Sequence, residues 1–367
     1  MAATVTAGPR VHGRRTTAPA ATTGSAARPR RSSPLRRRRS LVAWGLAAPF
    51  VVLFLVFTAW PVLSSLLMSV TDLRSRDLRN PFAVNVVGFD NFATVLTDPA
   101  FHTAALNTLY FVVVGVPLTM LLALAVAVAL NTGITRLAGF FRVGYYLPVV
   151  TSIVAVAVVW RFLLRPDNGL INEVLGWFGI SGPDWLGSTT WAMPSLIAMA
   201  AWRSMGTLVV IFLAGLQSVP KTLHEAAALD GANAWQRLTR VTLPTIRPTL
   251  LFGGVITGIG FLQFFEEPFV MTQGGPLGST MSVAYLVYNT FGFGNYGIAA
   301  AMSYVLFVAI VLLTVLQFRL LGEHDGRHRR RRHPATTAPA APAPAPAAGT
   351  AGLAGTPGVA VPRGGVR

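Results

Sequence analysis

Long, almost uninterrupted apolar runs alternate with polar stretches along this chain. Six runs stand out, at about 41–69, 103–130, 143–163, 191–217, 248–272 and 297–320. At ~1.5 Å of rise per residue, each is long enough as a helix to cross about 30 Å of hydrocarbon. Lipid offers no partner to a free backbone N–H or C=O, and an α-helix satisfies both within itself. The pattern therefore predicts an all-α integral membrane protein with six transmembrane helices. No repeat with a period of roughly 20–50 residues is visible.

The polar stretches differ in kind. Those at 70–102, 164–190 and 273–296 carry turn signals and aromatic anchors, such as Asn80-Pro81, Gly88-Phe89-Asp90-Asn91-Phe92, Pro166-Asp167-Asn168-Gly169 and Gly182-Pro183-Asp184-Trp185. A short apolar helix is predicted from Leu170 to Phe178, and Trp160, Trp177, Trp185 and Trp191 suit an interfacial belt. The stretch at 218–247 is helix-prone instead. Pro220 can open a helix, Thr222 to Leu229 are mostly helix formers, and Asp230-Gly231 is a break at which glycine can take positive φ. Asn233 can cap a second helix from Ala234 to Val241, which Leu243-Pro244 stops. The prediction is helix, tight turn, helix, with Ala226, Ala227, Ala228 and Ala232 allowing close approach and Glu225 and Asp230 offering charge. An amphipathic connector lying on the membrane surface would carry the same pattern.

Composition sharpens the class. The chain of 367 residues is 53% hydrophobic and 12% charged, with mean hydropathy +0.55, which excludes an ordinary soluble domain. The net charge of +17 is unevenly placed: residues 1–40 carry +10, residues 319–367 carry +6, and the body carries +1. Arginine-rich flanks of spans mark the cytoplasmic side. With the N-terminus inside, residues 131–142 (Arg136, Arg142), residues 218–247 (Lys221, Arg237, Arg240, Arg247) and the C-terminal tail also fall inside. Arg74, Arg76, Arg79 and Arg165 run against the rule. No aromatic residue is interleaved with the tail arginines, so they form no base-stacking platform, and anionic lipid is their expected contact. Both tails are rich in Ala, Pro, Thr and Gly and are expected to be disordered. Arg36–Arg39 before an apolar run faintly resembles a twin-arginine signal, but the run continues to about Val70, too long for a signal peptide. There is no cysteine. His102 and His224 have no partners at metal-ligand spacing, so no metal site is expected.

The loop motif then points to a family. Glu-Ala-Ala, three residues, Gly, nine residues, an aliphatic residue, one residue and Leu-Pro read here as Glu225-Ala226-Ala227, Gly231, Val241 and Leu243-Pro244. This resembles the EAA loop of permease subunits of bacterial ABC importers, with Val in place of the usual Ile. Leu213-Ala214-Gly215-Leu216-Gln217-Ser218-Val219-Pro220, Asn107-Thr108-Leu109, Tyr146-Leu147-Pro148 and Gly274-Gly275-Pro276 look like the carbohydrate branch, of the maltose and glycerol-3-phosphate type. The resemblance covers about Leu41 to Leu320. It implies an importer type I permease fold, organised as a disordered Arg-rich cytoplasmic tail (1–40), a first transmembrane helix with its outer loop (41–102), a permease domain (103–320) containing the coupling loop 218–247, and a disordered cytoplasmic tail (321–367).

The resemblance also implies partners. The loop would dock into a groove on a cytoplasmic ATPase, with Glu225 engaging a basic residue there and Gly231 making the turn. The chain has no Gly-x-x-x-x-Gly-Lys-[Ser/Thr] phosphate loop, so ATP and Mg belong to separate subunits and this chain binds no cofactor. Two ATPases, a second and different permease, and an extracytoplasmic solute-binding protein complete the expected assembly, in the bacterial inner membrane with both termini cytoplasmic. No nucleic acid is involved and nothing in the chain is catalytic.

Candidate cargo contacts follow from polarity inside the spans, where it is costly. Arg203, Ser204 and Thr207 lie in the fourth run, and Gln263, Glu266 and Glu267 in the fifth. Resemblance to the maltose-type relatives places two contact positions at Ser204 and Thr207. Phe261, Phe264 and Phe265 offer rings for sugar stacking, against plain packing, and Arg203 offers an ion pair with Glu266 or Glu267. An ion-coupled secondary transporter of a small polar solute is the competing class, expected to show internal repeats and broken spans round an ion site. A membrane-anchored nucleic-acid or lipid-binding protein acting through its tails is a third.

Overall fold

The computed structural model describes residues 34–79, 84–132 and 138–322. The disorder expected of residues 1–33 and 323–367, and the position of Arg136, lie outside the described residues. The chain divides into two compact units, residues 1–68 and 69–367.

In the first unit, α1 (Pro34–Phe54) passes through a π turn (Leu55–Ala59) into α2 (Trp60–Ser69). The helix thus begins at Pro34, seven residues inside the tail expected to end at residue 40. The widened turn stands just before Pro61, which has no N–H for an ordinary helical bond and whose ring crowds the preceding turn. The Trp60 N–H reaches Leu55 O instead. Trp44, Phe50, Phe57 and Trp60 are exposed, as the faces of a lipid-embedded helix are.

In the second unit an isolated antiparallel bridge joins Thr71 and Val86. Asp72 accepts hydrogen bonds from the Asn85 N–H at 2.7 Å and from Asn85 Nδ2 at 3.1 Å, which hold its carboxyl below the usual aspartate range. Then follow α3 (Asp90–Thr97), the 34-residue α4 (Pro99–Thr132), α5 (Ala138–Val150), α6 (Ile153–Leu163), α7 (Leu170–Trp177) and α8 (Ala192–Gln217). The chain continues through α9 (Lys221–Leu229), α10 (Ala234–Arg237), a π turn (Leu238–Thr242) and α11 (Leu243–Thr245). It ends with α12 (Arg247–Leu262), α13 (Glu266–Met271), α14 (Val283–Gly292) and α15 (Tyr296–Gly322). All regular structure among the described residues is helical.

α8 is the central helix. It packs along α4 and against α5, α12 and α13, while α12 also packs on α15. Gly206 permits the α5 contact, since a Cβ there would collide with Tyr145 O. One core cluster, around Phe111, Leu196, Ile197, Met199 and Phe261, lies towards the start of α8. A second, around Leu208, Phe212, Leu216 and Ile246, lies towards its end.

Four helices are individually long and apolar enough to span a membrane, and the number reaches six if each of two bent pairs is one span. Three expectations need correction. The third run is not one helix: Val143–Val150 and Ile153–Leu163 meet at 107°. Pro148 removes a helical donor, the Thr151 hydroxyl turns back to Leu147 O at 2.8 Å, and Ser152 leaves helical geometry with ψ 128°. The fifth run breaks at Gln263–Phe265 before α13. The helix after Asn233 does not stop before Pro244 but runs through the π turn to Thr245, then bends 70° into α12.

Candidate functional site

Segment 218–247 is a helix–turn–helix on the end of α8. The end of α9 is closed by three bonds: Asp230 N to Ala226 O (3.0 Å), Gly231 N to Ala228 O (3.1 Å) and Ala232 N to Ala227 O (2.9 Å). The last two make a Schellman turn. It places Gly231 at φ +77°, the left-handed region where a Cβ is penalised. Nothing lies within 4 Å of a Cβ built there, so backbone conformation alone requires glycine. Asn233 then opens α10 with a capping box: Gln236 N donates to Asn233 Oδ1 at 2.8 Å, and Asn233 N donates to Gln236 Oε1 at 3.0 Å.

The segment is bolted on one side and bare on the other. Ile246, Val219 and Thr242 are buried, and Leu243 packs on the same cluster. Glu225, Ala226, Asp230, Gly231 and Pro244 are exposed and Ala227 is half-buried. Two large apolar side chains stand out from this polar turn, Leu229 at 90% exposure and Trp235 at 70%. A cleft of about 520 Å³ runs between Trp235, His224 and Arg237 of the loop and Val128, Asn131 and Leu216 of α4 and α8. Sequence reasoning did not single out Leu229 or Trp235; an apolar residue beside a predicted turn was the available signal.

The span candidates separate into two groups. Phe261 and Phe264 are buried, and Phe264 stacks on Phe111 with ring centroids 3.9 Å apart. Phe261 lies 5.0 Å from the same ring. Their faces are taken by protein, so packing rather than cargo stacking accounts for them in this arrangement. Phe265 joins Phe269, Tyr285 and Tyr288 in a mutual ring cluster. Gln263 is exposed in the α12–α13 break and donates to Ile259 O at 3.2 Å. Arg203, Ser204 and Thr207 are half-buried on α8, Glu266 is exposed, and Glu267 is only 7% exposed. Arg203 lies within electrostatic reach of Glu267, yet among the described residues the one ion pair within 4.0 Å is Arg76–Asp77. Buried Glu267 Oε2 and Arg203 Nε each lack a hydrogen-bond partner.

Two separated sequence motifs meet at the other end of the molecule. Asn107 Nδ2 donates to Gly278 O (2.8 Å) and Met281 O (3.0 Å), and the Thr108 hydroxyl accepts from Val283 N at 3.1 Å. This fixes the turn that follows Gly274-Gly275-Pro276 against α4.

Residues 24–322 match the model of the binding-protein-dependent transport system inner membrane component family. The chain belongs to that family. The permease is 35% identical over 292 residues to the lactose transport system permease protein LacF of Rhizobium radiobacter, covering 78% of this chain and 96% of that one. It is 33% identical over 287 residues to the arabinooligosaccharides transport system permease protein AraP of Bacillus subtilis, covering 76% and 88%. In structure it resembles a chain of a bacterial alginate ABC transporter solved with an alginate pentasaccharide-bound periplasmic protein, with TM-score 0.65, 26% identity, and 77% and 94% of the two chains covered. The permease is therefore a multi-pass transport component of the inner membrane, not an enzyme, and the secondary-transporter alternative is not favoured.

Proposed function

We propose that this permease is one half of the membrane channel of an ATP-driven importer, moving a sugar or sugar-derived solute into the cell by alternating access. Its 218–247 segment receives the force. The observation that carries this is the exposed, doubly capped helix–turn–helix whose inner side is bolted to α8 and α12 through Val219, Thr242 and Ile246. A push on its outer side is passed to two spans at once. Exposed Leu229 and Trp235 suit insertion into a groove on a partner, and Glu225 suits a basic group at its rim. Lys221, Arg237, Arg240 and Arg247 support a cytoplasmic position for this face and for both termini.

The partners are two ATPase subunits, which hold ATP and Mg, a second permease, and an extracytoplasmic solute-binding protein that delivers cargo. The sugar class is supported by the lactose, arabino-oligosaccharide and alginate systems to which the chain is similar. Within the spans, Arg203 and Glu267 each hold an unpartnered polar atom in apolar surroundings. Hydroxyl groups of a passing sugar would satisfy both, with Ser204 and Thr207 on the same helix.

Gly231→Val tests the coupling. Forcing a β-branched residue to φ +77° costs at least about 1–2 kcal/mol, so the turn rearranges. The expected result is ATP hydrolysis by the assembled complex with uptake lost and binding-protein docking retained. Wild-type uptake by this variant would overturn the assignment.

A further inference from the structure

Beyond the start of α8, remote from the 218–247 segment, a cleft of about 350 Å³ opens between α6, the 178–191 segment and the end of α13. Leu164, Leu186 and Met271 form part of its wall, two cations, Arg161 and Arg165, line it, and no acid does. Both guanidinium groups are held in place. Arg161 Nη1 donates to Val270 O at 3.2 Å, and the Arg165 guanidinium carbon lies 4.7 Å from the centroid of the Phe162 ring. Neither hold exhausts the group. A guanidinium carries five N–H donors; the carbonyl takes one, and stacking on a ring leaves the edges free. Neither arginine is neutralised, since the ion pair among the described residues is Arg76–Asp77. Two like charges lining one cleft repel each other, and an anion between them offsets that repulsion. Bidentate recognition of a carboxylate, sulfate or phosphate is what oriented guanidinium groups do best.

We propose that this cleft receives the anionic group of an acidic saccharide, so that the imported solute carries a negative charge. The proposal rests on the importer reading and gives its cargo a class. Val270, whose carbonyl holds Arg161, and Met271, in the cleft wall, close α13 one turn beyond Glu267. The same chemistry would hold a lipid phosphate. A concave cleft walled by three separate segments suits a discrete solute, whereas a headgroup needs only a cationic helix face.

The test is a binding titration without ATP, on the full-length chain purified in its native complex and placed in phosphatidylcholine nanodiscs. The probes are radiolabelled digalacturonate and its neutral counterpart, galactobiose. Charge-assisted bonds predict a preference of about tenfold or more for digalacturonate. That preference is expected to collapse in the R161Q/R165Q double variant and to fall to an intermediate value in R161K/R165K, which keeps the charge but not the bidentate fork. An unchanged size-exclusion profile shows that each variant has assembled. Equal binding of the two probes by the wild type, or a preference surviving in the double glutamine variant, overturns the proposal. So does a double variant that loses co-purifying phosphatidylglycerol, or binding-protein association, with the probe ratio unchanged. No ATP enters the titration, so its outcome is separate from that of Gly231→Val, on which the coupling reading stands.

Discussion

Asn107 joins two parts of the chain more than 170 residues apart with one amide. Its Nδ2 serves Gly278 O, which also accepts from Met281 N at 3.1 Å, and Met281 O, a carbonyl of the same irregular turn. A carbonyl such as Met281 O costs about 1–3 kcal/mol when its partner is removed without replacement. Asn107→Ala is expected to lower the stability of the purified permease by about that amount, read as a shift in thermal unfolding in nanodiscs. Asn107→Asp, which keeps the shape but cannot donate, should be no better. Thr108, the next residue, makes the neighbouring contact from the same turn of α4, with its hydroxyl donating to Ala104 O at 2.8 Å and accepting from Val283 N. An unchanged unfolding temperature in Asn107→Ala would mean that Thr108 alone fixes the turn. Arg203 and Glu267 stand in contrast. One polar atom of each, Arg203 Nε and Glu267 Oε2, is left open, which in a membrane interior marks a position held for function rather than for stability.

At the scale of elements, the 218–247 segment owes its form to local rules. Gly231 and Asn233 each satisfy backbone groups that a helix end leaves free, so both roles were legible from the sequence, as were the short apolar helix after Gly169 and the long runs behind α4, α8 and α15. Asn233→Ala removes the bond from Gln236 N to Asn233 Oδ1, leaves the backbone N–H of residue 233 free to donate to Gln236 Oε1, and should destabilise the start of α10 by about 1 kcal/mol. Hydrogen exchange at the Gln236 amide is then expected to quicken roughly fivefold, while Asn233→Asp, which still accepts from Gln236 N, stays near wild type. Slow exchange in Asn233→Ala would place the strength of this end in the packing of Leu243 and Ile246 instead. What was not legible has one physical cause. A proline interrupts the ladder, but its surroundings choose the outcome. Pro61 is absorbed by a π turn and the helix carries on, whereas at Pro244 the π turn is followed by helix only to Thr245 and then a 70° bend. Near Pro148 the chain instead bends through 107° at Thr151-Ser152, where two hydroxyl residues in succession were the visible hint. Hydropathy could not separate these cases, because all three prolines lie in or beside apolar sequence. Nor could it separate Phe261 and Phe264, packed on Phe111, from Phe265 in the ring cluster with Tyr288; that distinction lies in which helix face meets α4.

For the whole molecule, charge and function occupy different stretches of chain. The family match ends at residue 322. Every group assigned a role here lies between Ser69 and that point: the coupling turn, the Arg203–Glu267 pair, the Asn107 clamp and the Arg161–Arg165 cleft. Most of the net charge lies outside the stretch from Ser69 to residue 322, with +10 in residues 1–40. Tail arginines set orientation through the residues closest to a span, since the rule acts within about 15–20 residues of the span ends. Arg36 to Arg39, just inside the start of α1, lie nearest the span at the N-terminal side, with Arg28, Arg30 and Arg31 farther out in the same window. Removing residues 1–33 and 335–367 together keeps Arg36 to Arg39, and keeps Arg319, Arg327, Arg329, Arg330, Arg331 and Arg332. The shortened permease is expected to insert in the same orientation and to import solute at close to the wild-type rate, measured as initial uptake per assembled complex in cells. A protein that worked through its tails, on nucleic acid or on lipid, would lose its activity with them. Neutralising Arg36–Arg39 as glutamine in the same shortened chain should instead lower the fraction correctly inserted, which protease accessibility of the 218–247 segment reads directly. Full uptake and unchanged accessibility in that second variant would shift control of orientation to the four cations of the coupling segment itself, Lys221, Arg237, Arg240 and Arg247.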